Sequence, residues 1–184
     1  GKPEESKKVL STAFFLLVAS SLLYMFFGKL FLEDLLRLFG GSDQIIPYSI
    51  EYMDIILYGA TFQILSMGLN HFVRADGSPK IAMYTMFLGA GVNIILDPIF
   101  IFVFNWGMFG AAFATVLAQT FSAAWVLLYF RGKRSRIKMD TFVFVPSIAT
   151  KIVSLGFPGF SLQLANSMVM SVLNRSLAFY GGDL

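Results

Sequence analysis

The stretch Ile81–Phe104 reads IAMYTMFLGAGVNIILDPIFIFVF, and it carries Asp97 inside an apolar run long enough to cross a membrane. A carboxylate at bilayer depth costs roughly 2.5–3.5 kcal/mol on insertion scales, so chains seldom keep one without a use for it. Asn93 lies four residues earlier, on the same face of a helix. Pro98 follows directly and leaves the carbonyl of Ile94 without its helical donor. The stretch therefore predicts a spanning helix with a cation or proton site, or alternatively a structural aspartate that fixes a kink.

The composition predicts an integral membrane protein. Of the 184 residues, 57% are hydrophobic and only 14% are charged, whereas about 25% are charged in a typical soluble domain. The absence of cysteine excludes disulfides and cysteine-based metal or redox sites. His71 is the single histidine, which disfavours a membrane-embedded enzyme, and the motifs of soluble enzymes are missing. Because motifs of this kind are missing, we expect a protein that is not an enzyme and has no cofactor. The chain begins at Gly1 without a signal peptide, so we expect it to be an internal piece of a longer protein.

Apolar stretches separated by glycine-containing or polar turns predict an all-α, polytopic membrane helix bundle. Five of them are candidate transmembrane helices: Val9–Phe27 with an amphipathic tail to Leu38, Ile45–Val73, Ile81–Phe104, Met108–Phe130 and Lys151–Tyr180. The segment after the fourth is longer and more polar than the other connections. We therefore predict a first lobe over residues 1–130, an inter-lobe linker over 131–150, and the first helix of a second lobe over 151–184.

Basic residues are concentrated in alternate connections, which predicts the orientation of the bundle. They lie at the N-terminus, in the loop around Asp76 and in the linker around Arg134, and these parts should be cytoplasmic. The C-terminal end would then face outward. Glu51 and Asp54 are expected to be interfacial charges, and Arg37 could pair with either of them.

Further polar side chains lie in the fourth and fifth stretches. Thr115 and Gln119 share a helix face that is rich in small residues, which permit close helix packing. If that face meets the helix of Asp97, Thr115 is a further ligand; otherwise it is an ordinary helix contact. A polar stripe in the fifth stretch either lines a water-filled pathway or makes inter-helix hydrogen bonds; it comprises Gln163, Asn166, Ser167 and Asn174.

Gly156 and Pro158 interrupt the pattern of the fifth stretch near its start. Glycine and proline at such a place are typical of a hinge or of an ordinary kink.

Several motifs together resemble the MATE (multidrug and toxic compound extrusion) transporters. They are RADGSPK at residues 74–80, NIILDP at 93–98, GMFGAA at 107–112 and ATVLAQ at 114–119. The fifth stretch, with GFP at 156–158 and NRSLAFYGGD at 174–183, is similar to the seventh helix of the bacterial drug-efflux branch. The resemblance covers essentially the whole chain, in loops as well as in apolar runs.

The resemblance implies that the chain corresponds to the third to seventh of twelve helices in a two-lobe antiporter of the bacterial cytoplasmic membrane. Such proteins expel cationic or amphipathic compounds in exchange for Na⁺ or H⁺. Asp97, Asn93 and Thr115 match the cation site of the first lobe, with Asp97 and Asn93 as Na⁺ ligands if the coupling ion is sodium. That site also uses an aspartate from the first helix, which this chain lacks. The expected partners are small-molecule substrates, the lipid bilayer and the remaining helices, and no nucleic acid.

The nearest alternative is a flippase of the same superfamily for lipid-linked oligosaccharides or peptidoglycan precursors. A flippase would need basic side chains in its cavity to bind a pyrophosphate. Only Arg175 lies well inside a predicted span, and the other basic residues cluster at the cytoplasmic rim.

Overall fold

The computed structural model describes residues 3–139 and 142–181, and within these ranges every regular element is a helix. Side chains are described for residues 4–139 and 142–177. The helices are α1 Pro3–Leu30, α2 Leu32–Leu38, α3 Ile46–Ala75, α4 Pro79–Pro98, α5 Gly107–Arg131 and α6 Pro146–Gly181. A π-helical turn, Ile99–Val103, continues α4. The prediction of an all-helical membrane bundle is confirmed; the outward end predicted for Gly182 and Asp183 lies outside the described residues.

Four helices of the described chain are long and apolar enough to cross a membrane, one fewer than predicted from the sequence. They correspond to Glu4–Leu30, Pro79–Val103, Gly107–Arg131 and Pro146–Leu177. The fifth predicted span is α3, which has 30 residues and therefore sufficient length. Polar residues such as Gln63, Asn70 and His71 lower its hydropathy.

α3 is the central helix of the bundle, since it packs against α1, α2, α4 and α5. Its polar groups find partners inside the protein: the buried Asn70 side chain donates to the carbonyl of Ala82 at 2.8 Å. Glycines let the neighbours approach closely. A Cβ on Gly59 would overlap the side chain of Val116 on α5, and one on Gly68 would overlap Leu17 on α1. Close backbone packing of this kind is the main source of helix association in lipid.

The best-packed region lies toward the end of the bundle where α3 ends and α4 begins. We call this the basic end, because Arg74, Lys80, Arg131, Lys133 and Arg134 lie there. Its core joins α1, α3, α4 and α5 through Leu10, Leu65, Leu69, Val73, Ala82, Val126 and Phe130.

At the opposite end a tight turn and an aromatic cluster connect α4 to α5. Asn105 and Gly107 have φ values of 56° and 54°, which reverse the chain between the helices. The ring of Trp106 stacks on those of Phe100 and Phe104, with centroids 5.2 and 5.3 Å apart. The turn predicted at Asn105–Gly107 is therefore fixed by aromatic packing as well as by backbone conformation.

The segment between α5 and α6 is bound to the bundle near both of its ends. Its last residues run along α1, where the backbone N–H of Val143 donates to Ser11 Oγ at 2.7 Å and that of Val145 to Thr12 Oγ1 at 3.2 Å. The ring of Phe142 packs edge-on against Phe14. The described ends of the predicted inter-lobe linker are therefore bonded to the loop after α3 and to α1, and the lobe boundary itself stays a prediction.

α6 begins at Pro146, earlier than the predicted Lys151, and runs without a break to Gly181. The helix break expected at Gly156 and Pro158 is wrong, because Pro158 lies inside a continuous helix. A proline within a long helix costs one backbone hydrogen bond but does not force the helix to end. α6 packs against α1 near its start, and farther along the Ser171 hydroxyl donates to the carbonyl of Leu38 at 2.7 Å.

Candidate cation site

Asp97, Asn93 and Thr115 lie together in the structure. The sequence placed Asn93 and Asp97 on one helix face and left the contact with Thr115 open. The Asn93 amide nitrogen lies 3.2 Å from Asp97 Oδ1 and 3.4 Å from Thr115 Oγ1. The Thr115 hydroxyl in turn donates to the carbonyl of Ala111 at 3.0 Å. All three polar side chains are half-buried. We call Asn93, Asp97 and Thr115 the cation cluster.

Two features of the backbone place the cluster. On α4, the spacing of four residues stacks Asn93 and Asp97 on one face. On α5, small residues allow α4 and its continuation to come close: a Cβ on Gly110 would lie 3.0 Å from the backbone of Phe100. Thr115 is held at the same level, facing Asn93.

The helix changes its winding immediately after the cluster. Pro98 is the last residue of α4, and the following π-helical turn includes a bond from the Phe104 N–H to the Ile99 carbonyl at 3.0 Å. π-helical turns within α-helices occur frequently at functional sites. The sequence analysis predicted a disturbed helix at Pro98 but not this form of it.

The side chains of the cluster supply oxygens that suit a small hard cation. They provide a carboxylate, an amide oxygen if the Asn93 side chain turns over, and a hydroxyl whose lone pairs remain available. The two orientations of an Asn amide occupy the same space. One carboxylate balances one positive charge. Within the described residues no group of three or more acidic, His or Cys side chains could hold a metal ion.

The comparison that decides the family is with the MatE family, whose model matches residues 1–99. The chain belongs to the MatE family. Among its curated relatives is the multidrug export protein MepA of Staphylococcus aureus strain MRSA252, which is 29% identical over 179 residues. That match covers 96% of this chain but 40% of the relative. MepA of Staphylococcus saprophyticus is 32% identical over 151 residues, covering 81% of this chain and 34% of the relative. The chain therefore spans less than half the length of these curated relatives.

Solved structures of MATE transporters share the fold. An inward-facing multidrug resistance MATE family transporter of the MOP superfamily superposes with a TM-score of 0.85 at 26% identity, over 97% of this chain and 42% of that chain. An outward-facing conformation superposes with a TM-score of 0.81 at 28% identity, over 97% of this chain and 40% of that chain. The resemblance stated from the motifs is confirmed.

The other predicted site residues of this MatE chain lie in different surroundings. Gln119 is half-buried on α5, one turn from Thr115. On α6, Ser167 is half-buried, while Gln163, Asn166 and Asn174 are exposed. The structure does not bring the α6 residues into hydrogen-bond contact with the cation cluster, and pathway lining stays a prediction for them.

The predicted pairing of Arg37 with Glu51 or Asp54 is wrong. Arg37 instead pairs with Glu33 at 2.9 Å and with Asp43 at 2.8 Å. Both partners are closer along the chain, Glu33 one turn earlier on α2 and Asp43 in the following loop. Asp54 pairs with Lys29 of α1 at 2.8 Å, and the Lys29 ammonium also lies 3.5 Å from the centre of the Tyr58 ring.

Sequence reasoning missed a buried polar cluster at the basic end. Asp76, which follows α3, is 5% exposed, and its Oδ2 accepts hydrogen bonds from Tyr129 Oη at 2.6 Å, from Ser135 Oγ at 3.1 Å and from the Arg136 N–H at 2.9 Å. Tyr129 Oη also lies 2.9 Å from Ser78 Oγ. Asp76 thus ties the loop between α3 and α4 to the end of α5 and to the start of the linker. The sequence did offer one signal for this cluster, because Asp76 is a lone acid in an otherwise basic region.

Proposed function

We propose that the protein to which this chain belongs is a secondary active efflux transporter. It exports cationic or amphipathic compounds in exchange for Na⁺ or H⁺, and Asp97 carries the coupling charge. The observation that supports this best is the position of the Asn93 amide between Asp97 and Thr115. These side chains come from two helices and converge on one point within the membrane-spanning part of the bundle.

Asn93 gives the cluster two chemical states. Without a cation, its N–H₂ group donates to the Asp97 carboxylate and toward Thr115. With Na⁺ present, or with Asp97 protonated, the amide turns over and presents its oxygen to the ion or to the new O–H group. The carboxylate is then neutralised, and the hydrogen bond that joined Asn93 to it is replaced.

Coupling requires that the two states of the transporter differ in their affinity for the ion. Neutralising Asp97 removes a half-buried negative charge and relaxes the preference of this region for a bound cation. A cationic substrate and the coupling ion would compete for that same charge, so binding of one favours release of the other. The π-helical turn after Pro98 lies where a small change in winding would alter the position of Asp97.

Three protein oxygens are fewer than a hard cation usually takes. We expect the remaining ligands from water and from a helix outside this chain, as the family resemblance implies. The choice between Na⁺ and H⁺ depends on those ligands. The distribution of basic residues places the loops near Asp76 and Arg134 on the cytoplasmic side in this proposal. The polar residues of α6 line the transport pathway.

Dye efflux by cells that express the complete transporter tests the proposal. Asp97→Asn keeps the size of the side chain, removes its charge and replaces one acceptor oxygen with an N–H₂ group, so efflux should fall by at least tenfold at equal membrane abundance. Efflux by the wild type, measured at varied Na⁺ concentration and external pH, identifies the ion.

Asp34→Asn is the matched control, because Asp34 is an exposed acid on α2. It should leave efflux and its ion dependence unchanged. Ion-driven efflux that persists in Asp97→Asn would place the coupling charge elsewhere. A protein that exports no cationic dye under any ion gradient would favour the flippase alternative.

A further inference from the structure

We propose that an anionic phospholipid binds in the groove between α4 and α5 at the basic end. Its phosphate would contact Lys133 and Arg134, and one acyl chain would lie along the apolar floor. The groove has a volume of about 380 Å³ and is lined chiefly by Ile81, Trp125, Leu128, Tyr129, Lys133 and Arg134. The two charged residues stand at the end of α5, and the apolar ones lie along the helices.

The apolar floor continues toward the middle of the membrane. A second groove of about 350 Å³ is lined by Tyr84, Phe87, Leu88 and Trp125, so Trp125 belongs to both. From Ile81 to Leu88 the helix rises by about 10 Å, which is enough to accommodate a substantial part of an acyl chain. Trp125 is 43% exposed, and tryptophan is typical of positions near the membrane interface.

This surface faces away from the cation cluster. Tyr84 precedes Asn93 by nine residues, or about 2.5 turns, which puts the two on opposite faces of α4. The inner wall of the groove is fixed, because the Tyr129 hydroxyl is bonded to Asp76. The proposed lipid site is therefore separate from the ion site and does not depend on the proposed transport activity.

The charges of the groove are available for a ligand. Lys133 and Arg134 are exposed, and within the described side chains neither forms an ion pair with an acid. Among the described acids, Asp76 lies near these charges, and it is buried and already accepts three hydrogen bonds. An inorganic anion would leave the apolar floor bare, and an apolar helix would leave two cations unpaired. An anionic phospholipid satisfies both parts, and each basic residue near a membrane surface favours it by several-fold.

Tryptophan quenching by brominated lipid tests the site in the complete transporter reconstituted into vesicles. Phosphatidylglycerol with brominated acyl chains is compared with brominated phosphatidylcholine, and the Trp125 signal is the difference between the wild type and Trp125→Phe. We expect phosphatidylglycerol to quench Trp125 at a mole fraction on the order of tenfold lower. Lys133→Gln combined with Arg134→Gln should abolish this preference, whereas Lys133→Arg with Arg134→Lys should keep it.

Arg136→Gln combined with Lys138→Gln is the matched control, since it removes the same charge from exposed residues that do not line the groove. It should preserve the preference. Equal loss in both neutralised pairs would mean general attraction to the basic end and would overturn the proposal. So would equal quenching by the two lipids in the wild type. Absence of quenching by either lipid would show that protein covers the groove, which also overturns it.

Discussion

At the scale of single residues, the position of Thr115 decides how many oxygens the chain offers to an ion. Its hydroxyl lies on α5, bonded to its own helix and near the Asn93 amide of α4. A threonine can make the first of these bonds anywhere in a helix, so only the second is specific to this site. The sequence left the role of Thr115 open, and the structure places it at the cation cluster.

Thr115→Val keeps the shape of the side chain and removes the oxygen. If Thr115 is a ligand, the apparent affinity for the coupling ion should fall by about tenfold or more, because a bond to a charged group contributes about 1.5–3 kcal/mol. The affinity is measured from the ion dependence of dye efflux. Thr115→Ser retains the hydroxyl and should behave nearly as the wild type. Equal ion affinity in the valine and serine variants would reduce Thr115 to a packing residue.

At the scale of helices, close contact between α3 and α5 explains why the central helix can be polar. Gly59 lets Val116 lie directly on the backbone of α3, so dispersion contacts compensate for the lower hydropathy of that helix. The same packing buries Asn70 and Ser66. A hydropathy profile counts these two residues against a membrane span because they are polar, whether or not they are buried.

Gly59→Ala should destabilise the bundle by about 1–3 kcal/mol, because the new methyl group overlaps the γ-carbons of a stiff β-branched side chain. The measurement is the thermal unfolding midpoint of the purified transporter in detergent. Val116→Ala added to Gly59→Ala should recover part of the loss, since it removes the overlapping atoms. If the double variant is less stable than Gly59→Ala, the overlap is not the cause.

Local signals predicted the helices and their turns better than the contacts among them. The apolar runs, Gly40–Gly41 and Asn105–Gly107 were sufficient for most helix boundaries to within about three residues, but α1 and α6 begin at Pro3 and Pro146, earlier than the predicted Val9 and Lys151. The spacing of Asn93 and Asp97 was readable because a helix repeats every 3.6 residues. The meeting of Thr115 with Asn93 required the family resemblance, since helix rotation is set by packing. Nothing local marked Asp76 as the partner of Ser135, which is distant in sequence.

At the scale of the whole molecule, the segment between α5 and α6 is bonded near both of its ends to the helices that precede it. Asp76 holds its start, and Ser11 and Thr12 hold its end. If the two lobes of the proposed transporter rock against each other, the motion must be taken up after Val145. α6 offers Gly156, Pro158 and Gly159 for this, and the two glycines have open space around them.

Cross-linking tests this assignment. Because the chain has no cysteine, Ser11→Cys and Val143→Cys introduce a defined pair into a complete transporter cleared of other cysteines. A short bifunctional thiol reagent should join them and leave at least half of the dye efflux. The same reagent without the cysteine pair is the control. Loss of efflux on cross-linking, with recovery when a cleavable reagent is reduced, would mean that the segment detaches during transport.

The bond between Val143 and Ser11 also orders events during synthesis. The two residues are 132 positions apart, so α1 enters the membrane long before its final hydrogen-bond donors exist. Until residues 143–145 leave the ribosome, Ser11 and Thr12 lack those backbone partners, and their hydroxyls must bond within α1 or to water. A nascent chain stopped before Val143 would leave these two hydroxyls without their backbone donors, whereas one stopped after Val145 would carry both donors.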